Sequence, residues 1–158
     1  MSTTLTLMRH GIAEPYAASD AERSLTPEGM TQVSAVARAL VAAGWRPGAV
    51  IHSPLKRAVQ TAALVAAALP EPVEMVELEE VIHAGRPLID MLARLDLPNP
   101  LVVGHLPSIA ELARTLLHSE GYLPFDKATV ACLRLTRLPP RVPAELVFFA
   151  PAALLAPD

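Results

Sequence analysis

Three short apolar runs, each followed directly by polar residues and then by a helix-like stretch, constrain the fold of this chain most strongly. They are Leu5–Met8, Ala49–Ile51 and Leu101–Val103. Apolar runs of this length that alternate with helical stretches predict strands of a mostly parallel sheet with both faces covered. We therefore expect an α/β fold, a three-layer α/β/α sandwich.

Local signals place further elements between and after these runs. Thr26 and Pro27 predict a helix start, because threonine caps helices and proline suits the first position, and Gly44 ends that helix. Ser53 and Pro54 repeat the signal and predict a second helix, apolar almost all round and therefore well buried. The remaining predictions are helices over Pro87–Leu95 and from Pro107, and strands over Val73–Val76, Ala128–Leu135 and Glu145–Phe149, the last two as neighbours.

Length and composition limit the class of protein. The chain has 158 residues, which fits a single domain over residues 1–158, and its 52% hydrophobic and 18% charged residues are typical of a folded protein. A net charge of −3 argues against nucleic acid or an anionic membrane as partner. Cys132 is the single cysteine, which excludes a disulfide framework and a thiolate metal site. No signal-peptide pattern or membrane-spanning run is present, so we expect a cytoplasmic protein and leave its oligomeric state open.

Polar groups follow each of the three apolar runs. Arg9 and His10 come after the first, Ser53–Arg57 after the second, and Gly104 and His105 after the third. Ligands of open α/β sheets bind beyond the carboxyl ends of the strands, and right-handed crossovers bring those ends to one edge. The sequence therefore predicts one site formed by all three segments.

The residue types at this edge suit a phosphate. Lys56 and Arg57 fall in the first turn of a predicted helix, where the helix dipole disfavours cations unless an anion binds there. Arg9 offers a second planar set of donors, and His105 lies beside another predicted helix start. Taken one at a time, each of these side chains could instead be a solvated loop or helix residue.

His10 has two possible roles in such a site, as a phosphate donor or as a nucleophile. A nucleophilic imidazole needs one unprotonated nitrogen facing phosphorus and its other N–H held by an acceptor such as a backbone carbonyl. Nearby arginines lower the pKa of the ring and neutralise the phosphate that it attacks. Attack would produce a phosphohistidine, which water then hydrolyses.

Four motifs in this order resemble the histidine phosphatase (phosphoglycerate mutase-like) superfamily. They are L-M-R-H-G at Leu7–Gly11, R-S-L-T-P-E-G at Arg23–Gly29, S-P-L-K-R-A-V-Q-T-A at Ser53–Ala62 and V-G-H-L-P at Val103–Pro107. The short chain is similar to the SixA-type phosphohistidine phosphatase branch. This resemblance implies a covalent phosphohistidine on His10, a phosphate pocket of Arg9, Arg57 and His105, and neither a metal nor another cofactor.

A general acid is harder to assign. Many members of the superfamily use a carboxylate after the third strand, where this chain has Glu77, Glu79 and Glu80, and position favours Glu80. The alternative is a solvated acidic loop. Arg23 could reach the rim of the pocket and bind substrate, or form a surface ion pair instead.

Larger members of this superfamily place sizeable insertions over the pocket. By that resemblance, the short segment from Glu77 to Asn99 implies an open site here and favours a phosphate carried by a protein. Three functions remain. The first is a SixA-type phosphatase for phosphohistidine in proteins, and the second a phosphatase or mutase for small phosphoesters such as sugar phosphates. The third, a non-catalytic phosphate-binding module, would not require a nucleophile beside the arginines.

Overall fold

The computed structural model of the protein describes residues 2–156, and a six-stranded sheet forms the centre of this part of the chain. In spatial order the strands are β3, β2, β4, β1, β5 and β6. The first four are mutually parallel, whereas β5 runs antiparallel to both β1 and β6. The bounds are β1 Thr3–Arg9, β2 Ala49–His52, β3 Glu74–Glu77, β4 Pro100–Gly104, β5 Val130–Leu135 and β6 Glu145–Ala150.

Helices cover both faces of this sheet. Leu7 and Val102 pack on one face with residues of α3 and α4, whereas Met8 and Val103 pack on the other with residues of α1, α2 and α5. The fold is therefore the three-layer α/β sandwich that the strand–helix alternation predicted. The helices are α1 Pro27–Ala42, α2 Lys56–Ala68, α3 Gly85–Leu95, α4 Ser108–Leu117 and α5 Ala152–Leu155, with short 3-10 turns over Asp20–Glu22 and Glu79–Ile82.

The first helix begins where its sequence signals predicted. The side chain of Thr26 accepts a hydrogen bond from the Gly29 amide at 2.9 Å, and Pro27 occupies the first turn. This bond satisfies one of the free amides that every helix N-terminus presents.

The predictions for the second helix were partly wrong. It begins at Lys56 rather than at Pro54, and the side chain of Ser53 does not cap it. Nor is the helix buried all round, because Ala63 and Ala67 face solvent while the opposite side packs on the sheet. Alanine-rich faces carry little apolar area, so their exposure costs little free energy.

None of the helices in residues 2–156 is long and apolar enough to cross a membrane. The cytoplasmic location stays a prediction.

Candidate active site

The candidate site lies at the carboxyl ends of three neighbouring strands, β2, β4 and β1. Strand β4 lies between β2 and β1, with Arg9 opposite Gly104 and His52 opposite Val103. The residues that follow these strands therefore leave the sheet side by side. The rings of His10 and His105 lie with their centroids 5.3 Å apart.

His10 is held in a defined orientation and in its neutral form. Its Nδ1 lies 2.7 Å from the carbonyl oxygen of Gly11, so Nδ1 carries the hydrogen and donates it, and Nε2 keeps its lone pair. Burial is the main cause that lowers the pKa of His10 to about 3; electrostatic interaction with His105, Arg57 and Arg9 lowers it further, and the hydrogen bond to the Gly11 carbonyl opposes the shift. The ring is therefore an uncharged base at neutral pH.

The turn after β1 is bound to the second helix. The Gly11 amide donates to the side-chain oxygen of Thr61 at 3.1 Å, and the Thr61 hydroxyl donates to the Arg57 carbonyl at 2.7 Å. A Cβ at Gly11 would lie 2.5 Å from Cγ2 of Val33, so this close approach requires glycine. The carbonyl that orients His10 thus belongs to a tightly packed backbone segment.

Arg57 projects from the first turn of α2 and is held by a residue that the motifs did not include. Its Nη1 donates to the carbonyl oxygen of Asp20 at 2.9 Å, and its Nη2 lies 3.1 Å from Oδ2 of the Asp20 carboxylate. The Arg57 side chain is only 7% exposed, whereas that of Asp20 is 68% exposed. The hydrogen bond from Arg57 is the main cause that lowers the pKa of Asp20, so the carboxylate is charged at neutral pH.

Arg9 leaves the end of β1 and is fixed by one terminal nitrogen. Its Nη1 donates to the carbonyl oxygen of Phe125 at 3.0 Å. Burial lowers the pKa of Arg9 and the charge of Asp126 opposes that effect. A guanidinium stays protonated at neutral pH, so Arg9 adds a second positive charge near His10.

His105 is oriented by Ser53. The Ser53 hydroxyl oxygen lies 2.5 Å from Nε2 of His105 and also accepts a hydrogen bond from the Leu55 amide at 3.3 Å. Burial, followed by the charge of Arg57, lowers the pKa of His105 to about 4, so this ring is neutral as well. A Ser53 hydroxyl that donates to Nε2 leaves the ring hydrogen on Nδ1.

Unsatisfied donors are concentrated in these side chains. Among the described residues, the buried side-chain nitrogen and oxygen atoms without a hydrogen-bond partner include Nε of Arg9, Nε of Arg57 and Nδ1 of His105. The fourth such atom is Nε of Arg114. Leaving a buried donor unpaired costs about 1–3 kcal/mol, and an anion bound among the three would offset that cost.

The other predicted residues stand apart from this cluster. Glu80 lies half-buried in the 3-10 turn after β3, and within residues 2–156 its side chain forms no hydrogen bond or ion pair with Arg9, His10, Arg57 or His105. Arg23 pairs with Asp20 at 3.1 Å and donates to the Glu14 carbonyl, so it is linked to Arg57 through Asp20. The roles of Glu80 and Arg23 stay predictions.

Three residues of the site were missed or misread in the sequence. Ser53 was interpreted as a helix cap, although its place after a strand gave it the same signal as His10 and His105. Thr61 lies one helical turn after Arg57, a spacing at which threonine commonly donates to a backbone carbonyl. Asp20 lies in an irregular segment and carried no signal.

No group of three or more His, Cys, Asp or Glu side chains in the described part of the chain could hold a metal ion. Independence from metals stays a prediction.

The fold and this arrangement of side chains define an α/β protein with a buried cluster of histidine and arginine side chains at the carboxyl ends of its parallel strands. The family model of the histidine phosphatase superfamily (branch 1) matches residues 5–86, just over half of the chain, and the protein belongs to that superfamily. No curated protein sequence matches the chain.

Comparison with solved structures indicates which branch of the superfamily this protein resembles. The protein histidine phosphatase SixA complexed with tungstate has a TM-score of 0.84 and 26% sequence identity, over 96% of this chain and 99% of that one. The similarity to the SixA-type branch that the short chain indicated is thereby confirmed.

More distant structures share the fold alone. A mycobacterial glucosyl-3-phosphoglycerate phosphatase has a TM-score of 0.69 and 17% identity, over 96% of this chain and 100% of that one. Phosphoserine phosphatase in complex with 3-phosphoglyceric acid, from Entamoeba histolytica, has a TM-score of 0.67 and 17% identity, over 94% and 96% of the two chains.

Proposed function

We propose that this protein is a phosphatase that removes a phosphoryl group from phosphohistidine in proteins by way of a covalent phosphohistidine on His10. The observation that carries the proposal is the hydrogen bond from Nδ1 of His10 to the Gly11 carbonyl. Together with the lowered pKa, it leaves Nε2 unprotonated in a ring that cannot turn freely. A residue that only bound phosphate would donate a hydrogen bond and would need no lone pair.

In the first step, the Nε2 lone pair attacks phosphorus and the bond from phosphorus to the leaving group breaks. Arg9 and Arg57 offset the negative charge of the phosphoryl oxygens, and Nδ1–H of His105 donates to one of them. Positive charge that develops on the His10 ring is stabilised at Nδ1 by the Gly11 carbonyl. In the second step, water attacks phosphorus, the P–N bond breaks, and phosphate and neutral His10 are released.

The leaving group decides how much acid catalysis is needed. A phosphoramidate nitrogen can already carry a proton when it leaves, whereas an alkoxide must be given one. Glu80, which is half-buried on the turn beside the end of β4, is our proposed proton donor. Its lack of contact with the pocket residues in the described chain favours a substrate that needs little protonation.

Two features support a protein as the carrier of the phosphate. The protein is most similar in structure to a protein histidine phosphatase among the matches described above. In addition, Arg9 borders an apolar groove of about 390 Å³ formed with Leu106, Tyr122 and Phe125, which offers a surface to the region around a phosphorylated side chain. A second cavity, of about 610 Å³, is lined by Gln32 and Lys127 and touches the site through Arg9 alone.

A small phosphomonoester is the second candidate, because the same donors would bind any terminal phosphoryl group. The two candidate substrates differ in whether their leaving group must receive a proton from Glu80. A Glu80→Gln variant should slow hydrolysis of a phosphoester much more than hydrolysis of phosphohistidine.

The experiment is a turnover assay on a phosphohistidine-containing protein and on a panel of sugar phosphates, with wild type and His10→Ala. Wild type should prefer the phosphohistidine protein and should form an acid-labile, alkali-stable phosphoenzyme, and His10→Ala should form none. His83→Gln, a change at an exposed histidine, is the matched control and should behave as wild type. Full turnover by His10→Ala would exclude the covalent mechanism, and a preference for sugar phosphates would favour the second candidate.

A further inference from the structure

The Asp20 carboxylate contacts Nη2 of Arg57, and among the described residues the neighbouring Nε of Arg57 has no hydrogen-bond partner. Arginine binds phosphate best through two parallel N–H donors. In this structure Nη1 and Nη2 of Arg57 instead contact the carbonyl and the carboxylate of the same residue, Asp20. A phosphoryl group that binds the parallel donors Nε and Nη2 therefore competes with the Asp20 carboxylate for Nη2.

The Asp20 carboxylate can leave Arg57 and still be paired with a second arginine, Arg23. Its other carboxylate oxygen, Oδ1, lies 3.1 Å from Nε of Arg23. The Asp20 side chain is also 68% exposed, so its rotation meets little steric resistance. The Asp20 carbonyl, which backbone atoms hold in place, would continue to position Nη1 of Arg57 after the carboxylate has moved.

We propose that the Asp20 carboxylate is an internal competitor for phosphate on Arg57, which moves to Arg23 alone when the phosphoryl group binds. The inference rests on the proposed function, since it takes Arg57 as a phosphate ligand. Its consequence is that Asp20 limits how tightly the product, inorganic phosphate, is held. Asp20 thus acts through Arg57 and touches neither the substrate nor the reacting atoms.

The test is the affinity for inorganic phosphate, measured by calorimetry on the full chain and as product inhibition of turnover. Asp20→Asn removes the charge and keeps the backbone carbonyl, and we expect it to bind phosphate about two- to fivefold tighter than wild type. Glu22→Gln is the matched control, because Glu22 is an exposed acid of the same turn. It should bind phosphate as wild type does.

Arg23 provides a second measurement. If Arg23 acts by receiving Asp20, Arg23→Gln should weaken phosphate binding in the wild-type background but not in Asp20→Asn. Equal weakening in both backgrounds would make Arg23 a direct phosphate ligand and would contradict the movement proposed here.

The remaining outcomes are distinct. Unchanged or weaker phosphate binding by Asp20→Asn would overturn the inference and make the carboxylate a support that orients Arg57. An equal gain in Glu22→Gln would reduce the effect to net charge and would also overturn it. Phosphate binding that Arg57→Ala leaves unaltered would refute the pocket of the proposed function, and the inference with it. Circular dichroism melts of each variant should show a folded protein, which separates a loss of binding from a loss of structure.

Discussion

The hydroxyl of Ser53 lies 2.5 Å from Nε2 of His105, so the residue that follows β2 orients a ring that follows β4. The two residues are 52 positions apart in the chain. The same hydroxyl accepts a hydrogen bond from the Leu55 amide, so the start of α2 and the orientation of His105 depend on one oxygen atom.

Replacing Ser53 with alanine should therefore damage catalysis more than folding. Without the hydroxyl, His105 loses the partner that keeps the hydrogen on Nδ1, and we expect kcat/KM to fall about tenfold, since a buried polar atom is left unpaired. Nitrogen-15 NMR of the His105 ring should show the other tautomer gaining population. Ser34→Ala, a change within α1, is the control. A tautomer unchanged in Ser53→Ala would contradict this role.

The two buried histidines make the stability of the protein depend on pH. Burial is the main cause that lowers the pKa of His10 to about 3 and that of His105 to about 4, from an ordinary value of 6.5. Below pH 6.5 the unfolded chain therefore binds more protons than the folded one. The contribution of these two histidines to the free energy of unfolding should be constant well above pH 6.5 and should decrease as the pH falls towards 4.

Urea unfolding at about pH 7.5 and about pH 5 measures this effect. His105→Asn should reduce the loss of stability between the two conditions, because asparagine does not titrate. If His105→Asn lost as much stability between the two pH values as wild type does, His105 would be excluded as a source of the pH dependence. In the same range, His10 stays unprotonated, and phosphoenzyme formation should not show an acidic limb near pH 6.5.

Gly11 is a site where one methyl group should disturb both stability and activity. A Cβ at this position would lie 2.5 Å from Cγ2 of Val33 and 3.2 Å from the Gly29 carbonyl oxygen. Gly11→Ala should lower the free energy of unfolding by about 1–3 kcal/mol, as overpacking does, and should displace the carbonyl that holds His10. Gly121→Ala, where the nearest atom is 3.8 Å away, is the control. Wild-type kcat in Gly11→Ala would show that this carbonyl does not orient the nucleophile.

Local patterns in the sequence determined the layers of the fold and the residues at its functional edge. Strand alternation, the Thr26 cap and the polar residues after each strand all depend on neighbours a few positions away, and these signals can be identified in the chain itself. They are sufficient to predict the three-layer sandwich and to bring Arg9, His10, Arg57 and His105 to one edge of its sheet.

Tertiary structure alone decided how those groups are held. Ser53 was predicted to cap a helix but forms a hydrogen bond with His105. The Gly11 amide donates to the Thr61 hydroxyl, 50 residues away, and Arg57 donates to the carbonyl of Asp20, 37 residues away. None of these pairs has a period or a spacing that the sequence could display. The physical reason is that a hydrogen bond between distant segments forms only where packing brings its donor and acceptor within about 3 Å, and packing is a property of the whole fold.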